Sequence, residues 1–252
     1  MVQFENEVAV VTGGGSGIGR ATAEAFAREG ARVVVSDVDV EGGEETVSRI
    51  EENGGVAIFV EADVTDEDAV AAMVETAVSE YGRLDFACNN AGIGGAQKPT
   101  ADLSFDEWER TIDVNLHGVW RSMRYEIPAM LDGDGGVIVN MSSILGRVGF
   151  ENASAYVTAK HGLLGLTKTA AIEYAQKGIR VNAVCPGFID TPLLSEGGLD
   201  EPEARTGIES LHPMNRLGSV DEVASAVVWL CSDGASFTTG EALTVDGGYT
   251  SR

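Results

Sequence analysis

Ser143, Tyr156 and Lys160 are the residues of this chain best suited to chemistry, within Ser142-Ser143-Ile144-Leu145-Gly146 and Tyr156-Val157-Thr158-Ala159-Lys160. A tyrosine and a lysine four apart on a helix project from one face. The ammonium then sits where it favours a phenolate. A phenol titrates near pH ~10 and general acids and bases work best near the operating pH, so the cation belongs to the chemistry. The spacing alone arises often by chance on amphipathic helices, and its meaning depends on the rest of the chain.

The first apolar run leads directly into Thr12-Gly13-Gly14-Gly15-Ser16-Gly17-Ile18-Gly19 and then into the helical stretch Arg20-Ala21-Thr22-Ala23-Glu24-Ala25-Phe26. Strand, glycine turn and helix in that order place free amides at a helix N-terminus, where they bind a pyrophosphate. About twenty residues on, Asp37 ends the second apolar run, where a carboxylate accepts hydrogen bonds from ribose hydroxyls and repels a 2′-phosphate. Neither Gly15-Ser16 nor Val38-Asp39-Val40 offers the Arg or Lys that a phosphate would want. The expected cofactor is NAD rather than NADP.

Short apolar runs alternate with longer amphipathic stretches from the start to about residue 190, the pattern of βαβ units around a parallel sheet. Strands are predicted at 7–12, 32–36, 56–60, 84–88, 136–141, 180–184 and 241–245, rich in β-branched residues as strands covered on both faces should be. Val70, Met73, Val74, Ala77, Val78 and Tyr81 form one helical stripe. Thr65 with Asp68, Ser104 with Glu107, and Ser219 with Glu222 read as capping boxes. Residues 191–218, rich in Gly, Pro and acids, read as a substrate-loop insertion, since loops of that length are usually functional or disordered. The expected fold is α/β: one doubly wound, Rossmann-type domain over residues 1–252, with a seven-stranded, mainly parallel sheet and helices on both faces.

With the glycine turn, Asn89-Asn90-Ala91-Gly92 after the fourth strand, Asn115, Ser143 and Tyr156-x-x-x-Lys160 in order, the chain resembles the short-chain dehydrogenase/reductase family over its whole length. Its turn is similar to that family's Thr-Gly-x-x-x-Gly-x-Gly, with Gly13, Gly17 and Gly19 in the motif places, Ser16 and Ile18 between them. The resemblance implies Tyr156 as proton donor and acceptor, Lys160 lowering its pKa and holding the nicotinamide ribose, and Asn115 anchoring a relay water. It implies Ser143 orienting the substrate oxygen, Ser143 rather than Ser142 because the family's serine lies thirteen residues before the tyrosine. It also implies Asp63 and Val64 on the adenine side, Asn89, Ala91 and Gly92 on the adenosine floor, and Pro186, Gly187, Ile189 and Thr191 at the nicotinamide carboxamide. Asp63 has a competing reading as a helix-start residue before Thr65. The implied reaction is hydride transfer between NAD(H) and a secondary alcohol or ketone, in a homotetramer built on helices near 107–131 and 154–176. A 3-oxoacyl-carrier-protein reductase is the nearest alternative, opposed by Asp37 and by the acidic stretch 131–136, which should repel an acidic carrier. A sugar dehydrogenase is a third, and a non-catalytic nucleotide-binding scaffold is opposed by the intact catalytic set.

Seventeen basic against 40 acidic residues give a net charge of −23, and Lys98, Lys160, Lys168 and Lys177 are the only lysines. Such a surface excludes nucleic acid and anionic membranes as partners. It resembles the proteins of salt-loving microbes, where self-repulsion is screened over only ~3 Å at 1 M salt. No apolar run reaches the ~18 residues of a membrane helix, and the N-terminus lacks the features of a signal peptide, so a soluble, cytoplasmic protein is expected. Cys88, Cys185 and Cys231 stand singly, as packed thiols with no metal spacing. His117, His161 and His212 read as surface or packing residues, His161 because i+5 from Tyr156 leaves the tyrosine's face. Gly94, Gly95, Phe150, Phe188 and the 191–212 segment flank the expected substrate pocket.

Overall fold

The structure, a computed structural model, describes residues 3–196 and 201–251. Residues 197–200, part of the expected insertion, lie outside the described residues, as do Met1, Val2 and Arg252. Seven parallel strands form one sheet: β1 (Val8–Thr12), β2 (Arg32–Asp37), β3 (Val56–Glu61), β4 (Phe86–Asn89), β5 (Gly136–Met141), β6 (Ile179–Pro186) and β7 (Ala242–Val245). Their order is β3-β2-β1-β4-β5-β6-β7, with every pairing parallel. The winding direction reverses between β1 and β4. At such a reversal the strand ends part and leave a crevice for ligands.

Two apolar layers cover the sheet. On one face, Ala23 and Phe26 of α1 (Gly17–Arg28), Ile50 of α2 (Val40–Glu52), and Val223, Val227 and Leu230 of α9 (Val220–Cys231) pack on Val11, Val33, Val139 and Val184. On the other, α3 (Glu67–Tyr81) contributes Val70, Met73, Val74 and Ala77. α5 (Gly118–Leu131) adds Val119, Met123 and Ile127, and α6 (Ser154–Tyr174) adds Leu163 and Ala170, over Val10, Val34, Ile138 and Val181. Strands buried on both faces have no need of alternating polarity, which is why their sequences read as unbroken β-branched runs.

The capping boxes at Ser104, before α4 (Phe105–Ile112), and at Ser219 form as expected. The third does not. Asp66 caps α3, its carboxylate accepting from the amides of Asp68 and Ala69, while the Thr65 hydroxyl donates to Asp63. A carboxylate one residue nearer the helix meets the free amides first and brings favourable charge to the positive end of the dipole.

Two further expectations change. The stretch 191–218 is partly helical, with α7 (Pro192–Glu196) and α8 (Pro202–Ser210), and Leu194, Ile208 and Leu217 form a small apolar cluster with Phe188. Its helices are too short for a periodicity to emerge from the sequence. The acidic stretch 131–136 also lies elsewhere than assumed: it joins α5 to the start of β5, at the N-terminal edge of the sheet, whereas the crevice opens at the C-terminal edge. Asp132 and Asp134 therefore cannot guard the mouth of that crevice, and the charge argument against an acidic carrier loses them.

Candidate active site

The glycine turn follows β1 at the reversal point, and its backbone geometry depends on missing side chains. Gly13 and Gly17 have φ of +63° and +51°, the left-handed region that disfavours a Cβ. A Cβ on Gly19 would stand 1.9 Å from the Gly13 carbonyl oxygen. Ser16 is the N-cap of α1 without spending its side chain on the cap, and the first turn carries no acid. Free amides, a free hydroxyl and a positive dipole end with no competing carboxylate form an anion site.

Asp37 closes over the turn. One carboxylate oxygen accepts the Gly15 amide at 2.8 Å and the other the Asp39 amide at 3.0 Å. Each keeps a lone pair for a hydroxyl. Arg20 is turned inward to the Gly15 carbonyl, the Thr46 hydroxyl and Glu45, so this nearby cation is already engaged. Asn90 ties β4 to the turn: its side-chain amide donates to the carbonyls of Thr12 and Gly13, and the Thr12 hydroxyl accepts the amides of Asn90 and Ala91. From the far side the end of β6 arrives, with Thr191 Cγ2 3.6 Å from where a Gly17 Cβ would be and the Gly187 amide bonded to Val245.

Ser143, Tyr156, Lys160 and Asn115 gather at the same edge. Ser143 follows β5 and starts a short 3-10 turn, its Oγ accepting the Leu145 amide at 3.1 Å. The neighbouring Ser142 donates its hydroxyl to the Lys160 carbonyl at 2.9 Å, fastening β5 to α6. Tyr156 and Lys160 lie one turn apart on α6, with Nζ 5.5 Å from the ring centroid and 2.8 Å from the Met141 carbonyl to which it donates. Asn115 is fully buried in a wide π-helical turn, Asp113–His117, between α4 and α5. Its amide is paired in both directions with Ile93, Nδ2 donating to the carbonyl at 2.8 Å and Oδ1 accepting the amide at 3.0 Å. Gly92 must lack a side chain here, since a Cβ would lie 2.5 Å from Asn115 Oδ1.

The family model described as Enoyl-(Acyl carrier protein) reductase matches residues 13–250. A cyclohexanol dehydrogenase of Acinetobacter sp. (strain SE19) is 50% identical over 250 residues, covering 99% of this chain and 97% of its own. A cis-4-hydroxycyclohexanecarboxylate dehydrogenase of Sinomonas cyclohexanicum is 46% identical over 247 residues, 98% of each chain. The crystal structure of levodione reductase superposes with a TM-score of 0.95 at 38% identity, over 99% of each chain. The chain belongs to the short-chain dehydrogenase/reductase family. Dehydrogenases of this family use a nicotinamide cofactor, and the glycine turn, free helix end and Asp37 suit the pyrophosphate and ribose of such a group.

Within this short-chain dehydrogenase/reductase, burial is the largest influence on both Tyr156 and Lys160. Desolvation pushes the Tyr156 phenol above its ordinary value, opposed by a hydrogen bond with Ser143. Desolvation also lowers the Lys160 ammonium to about 8, opposed by Cys185. The hydrogen bond with Ser143 favours the phenolate, and the Lys160 ammonium lies 5.5 Å from the ring centroid.

Two expected cofactor residues have side chains engaged within the protein. Asn89 turns its side chain into the core, where Nδ2 donates to Glu126 at 3.0 Å and Asn140 at 3.1 Å. A strand alternates its side chains, so Asn89 and Asn90 cannot both face the crevice. Asp63 Oδ1 accepts from the amide and hydroxyl of Thr65, a contact that both of its readings allow. Sequence alone assigns Thr12 no role beyond opening the glycine motif, and none to Thr46, the Met141 carbonyl or Glu126. The first three act through backbone contacts that no side-chain motif records, and Glu126 looks like any helix-surface acid until its helix is docked.

Proposed function

We propose that this protein interconverts an apolar, ring-shaped secondary alcohol and its ketone, using NAD(H). The observation that carries the reading is the convergence of Ser143, Tyr156 and Lys160 beside a glycine turn closed by Asp37. When bound, the nicotinamide supplies or accepts the hydride. In reduction, negative charge grows on the carbonyl oxygen, where the Ser143 hydroxyl and the Tyr156 phenol are preorganised donors and Tyr156 gives up its proton. In oxidation the Tyr156 phenolate takes the alcohol proton. Lys160, held by Met141, supplies positive charge beside the phenol and reaches a ribose hydroxyl.

The Asn115 amide is anchored to Ile93 through both of its polar atoms, and a relay water at this residue is held by the π-helical turn that carries it. Gly13, Ser16, Gly17, Ile18 and Gly19 hold the pyrophosphate, Asp37 the adenosine ribose, Ala91 and Gly92 the floor, and Val64 with Asp63 the adenine side. Pro186, Gly187, Ile189 and Thr191 receive the carboxamide. NAD is favoured over NADP because Asp37 repels a 2′-phosphate while Arg20 is occupied.

A ring-shaped substrate is supported by an aromatic cluster at the exit of β6, where Phe188 meets Phe150 at 6.0 Å, His212 at 5.8 Å and Tyr249 at 6.0 Å between ring centroids. Relatives named for cyclohexanol and a hydroxycyclohexanecarboxylate agree with it. We assign the stretch 191–218 as the lid of this pocket within a single domain, and, on family resemblance, a homotetramer in the cytoplasm. The test is NAD reduction by cyclohexanol against an open-chain secondary alcohol, in wild type and Tyr156→Phe. Cyclohexanol should be preferred and the variant inactive; equal rates for the two proteins would defeat the assignment.

A further inference from the structure

Glu126 lies on α5, fully buried, and no Lys, Arg or His among the described residues forms an ion pair with it. Its Oε2 accepts from Asn89 Nδ2 at 3.0 Å. Among the described residues its Oε1 has no partner, and neither has Oδ1 of the same Asn89, although both atoms are buried. The surrounding donors are already assigned. The Asn89 amide nitrogen has two hydrogens, and they go to Glu126 and to Asn140 Oδ1. The Asn140 amide nitrogen is directed to Thr167 Oγ1 at 3.0 Å and to the Met123 sulfur. Two orphaned oxygens thus sit on two groups already bonded to each other. One proton on Oε1, donated to Asn89 Oδ1, satisfies both and closes a ring of two hydrogen bonds between a carboxylic acid and a primary amide.

We propose that Glu126 is a carboxylic acid in the folded protein, ring-paired with Asn89, and that this neutral pair is a positioning device for the end of β4. The network joins the elements that carry the site: Asn89 precedes Asn90 and Ala91, Asn140 precedes Met141, and Thr167 lies on the helix of Tyr156 and Lys160. Loss of the proton would set a carboxylate oxygen against the Asn89 carbonyl oxygen, a buried repulsion without a counter-charge. The strain falls first on Asn90, which holds the glycine turn.

The groups around Glu126 keep the proton in place. From β4 the Cys88 thiol, itself pushed up to about 12 by burial and by Glu126, adds no positive charge. β5 brings Asn140 and α6 brings Thr167, both neutral, and the Lys160 ammonium of α6 is turned to Met141. α3 shares with α5 a cluster of Val70, Met73 and Val74. Desolvation accordingly lifts Glu126 from an ordinary 4.5 to about 8, with Asn89 opposing. Because the folded value is raised, the stabilisation is complete below the unfolded value and is lost as pH rises towards the folded one, with no further change beyond it.

Glu126→Gln supplies the test, since a carboxamide reproduces the protonated ring at every pH. The ratio of unfolding constants, wild type over variant, should rise by about tenfold per pH unit between about pH 5 and 8 and then level off. A ratio flat across this range, or a variant that does not fold at pH 6, overturns the proton assignment. The positioning role rests on the proposed NAD reading and has its own readout. Above pH 8 the KM for NAD of wild type should rise relative to Glu126→Gln with kcat unchanged, and parallel pH profiles would overturn it. A wild type inactive with NAD would defeat the proposed function and leave the folding measurement standing.

Discussion

At the scale of single residues, Tyr156 carries the sharpest expectation. Burial raises its phenol above the ordinary value, and the protonated form is the one required of an acid in ketone reduction. Alcohol oxidation needs the phenolate, so kcat/KM for oxidation should climb with pH through the neutral range and above it. Steady-state profiles in both directions check the sign, and a pH-independent oxidation rate would speak against Tyr156 as the base. Tyr156→Phe should cost about 10² to 10⁴ in kcat, the usual worth of a positioned acid or base, while NADH binding, read by fluorescence, stays close to wild type. Asp37 tests the cofactor end. Asp37→Ala combined with Val38→Arg should move the preference towards NADP, and an unchanged ratio of kcat/KM for the two cofactors would remove the ribose role from Asp37.

At the scale of elements, the site depends on how strand ends are fastened to one another. Gly19→Ala forces a Cβ against the Gly13 carbonyl at 1.9 Å, so the turn must open and NADH binding by titration should be abolished or severely weakened. The proposed lid is fastened through His212, whose Nδ1 donates to the Ile208 carbonyl of α8 and whose Nε2 accepts the Phe188 amide at the exit of β6. Those two bonds set the imidazole tautomer. Replacing His212 by alanine removes both, at about 1 kcal/mol each. The expected outcome is a several-fold rise in the KM for the alcohol, with the KM for NAD little changed; a change confined to NAD would place the histidine's influence on the cofactor instead. Helix starts were legible where the cap is a serine with a glutamate three residues on, at Ser104 and Ser219. At α3 the sequence offers Asp63, Thr65 and Asp66 in a row, and only the path of the chain selects Asp66.

At the scale of the whole molecule, charge dominates. A net −23 leaves the folded surface repelling itself, and multimolar salt shortens the range of that repulsion to about 3 Å. Thermal unfolding in low against multimolar KCl should show a large rise in Tm, and a flat response would remove the reading of adaptation to high salt. The proposed tetramer has a surface to use: Trp120 and Leu131 of α5 are 48% and 38% exposed, beside Leu166 and Tyr174 of α6. Light scattering that reports a monomer at micromolar concentration would contradict it.

The order of strands and helices along the chain, the parallel sheet and the glycine turn were written in local pattern, because burial on both sheet faces, left-handed backbone and helical spacing each select residue types over a few neighbouring positions; the proposed reacting side chains came from the family resemblance. Ser143 and Ser142 are indistinguishable by type; the family spacing prefers Ser143, and the docking of α6 on β5 adds a physical reason by bonding the Ser142 hydroxyl to the Lys160 carbonyl. Asn89, read as floor, turns into the core, and Glu126, read as nothing in particular, becomes its partner. The acidic run at 131–136 falls on the opposite edge of the sheet from the crevice. These outcomes depend on which side of a strand or helix meets its neighbour across dozens of residues, and on how far each group is taken from water. Such distances and burials do not exist until the chain has packed.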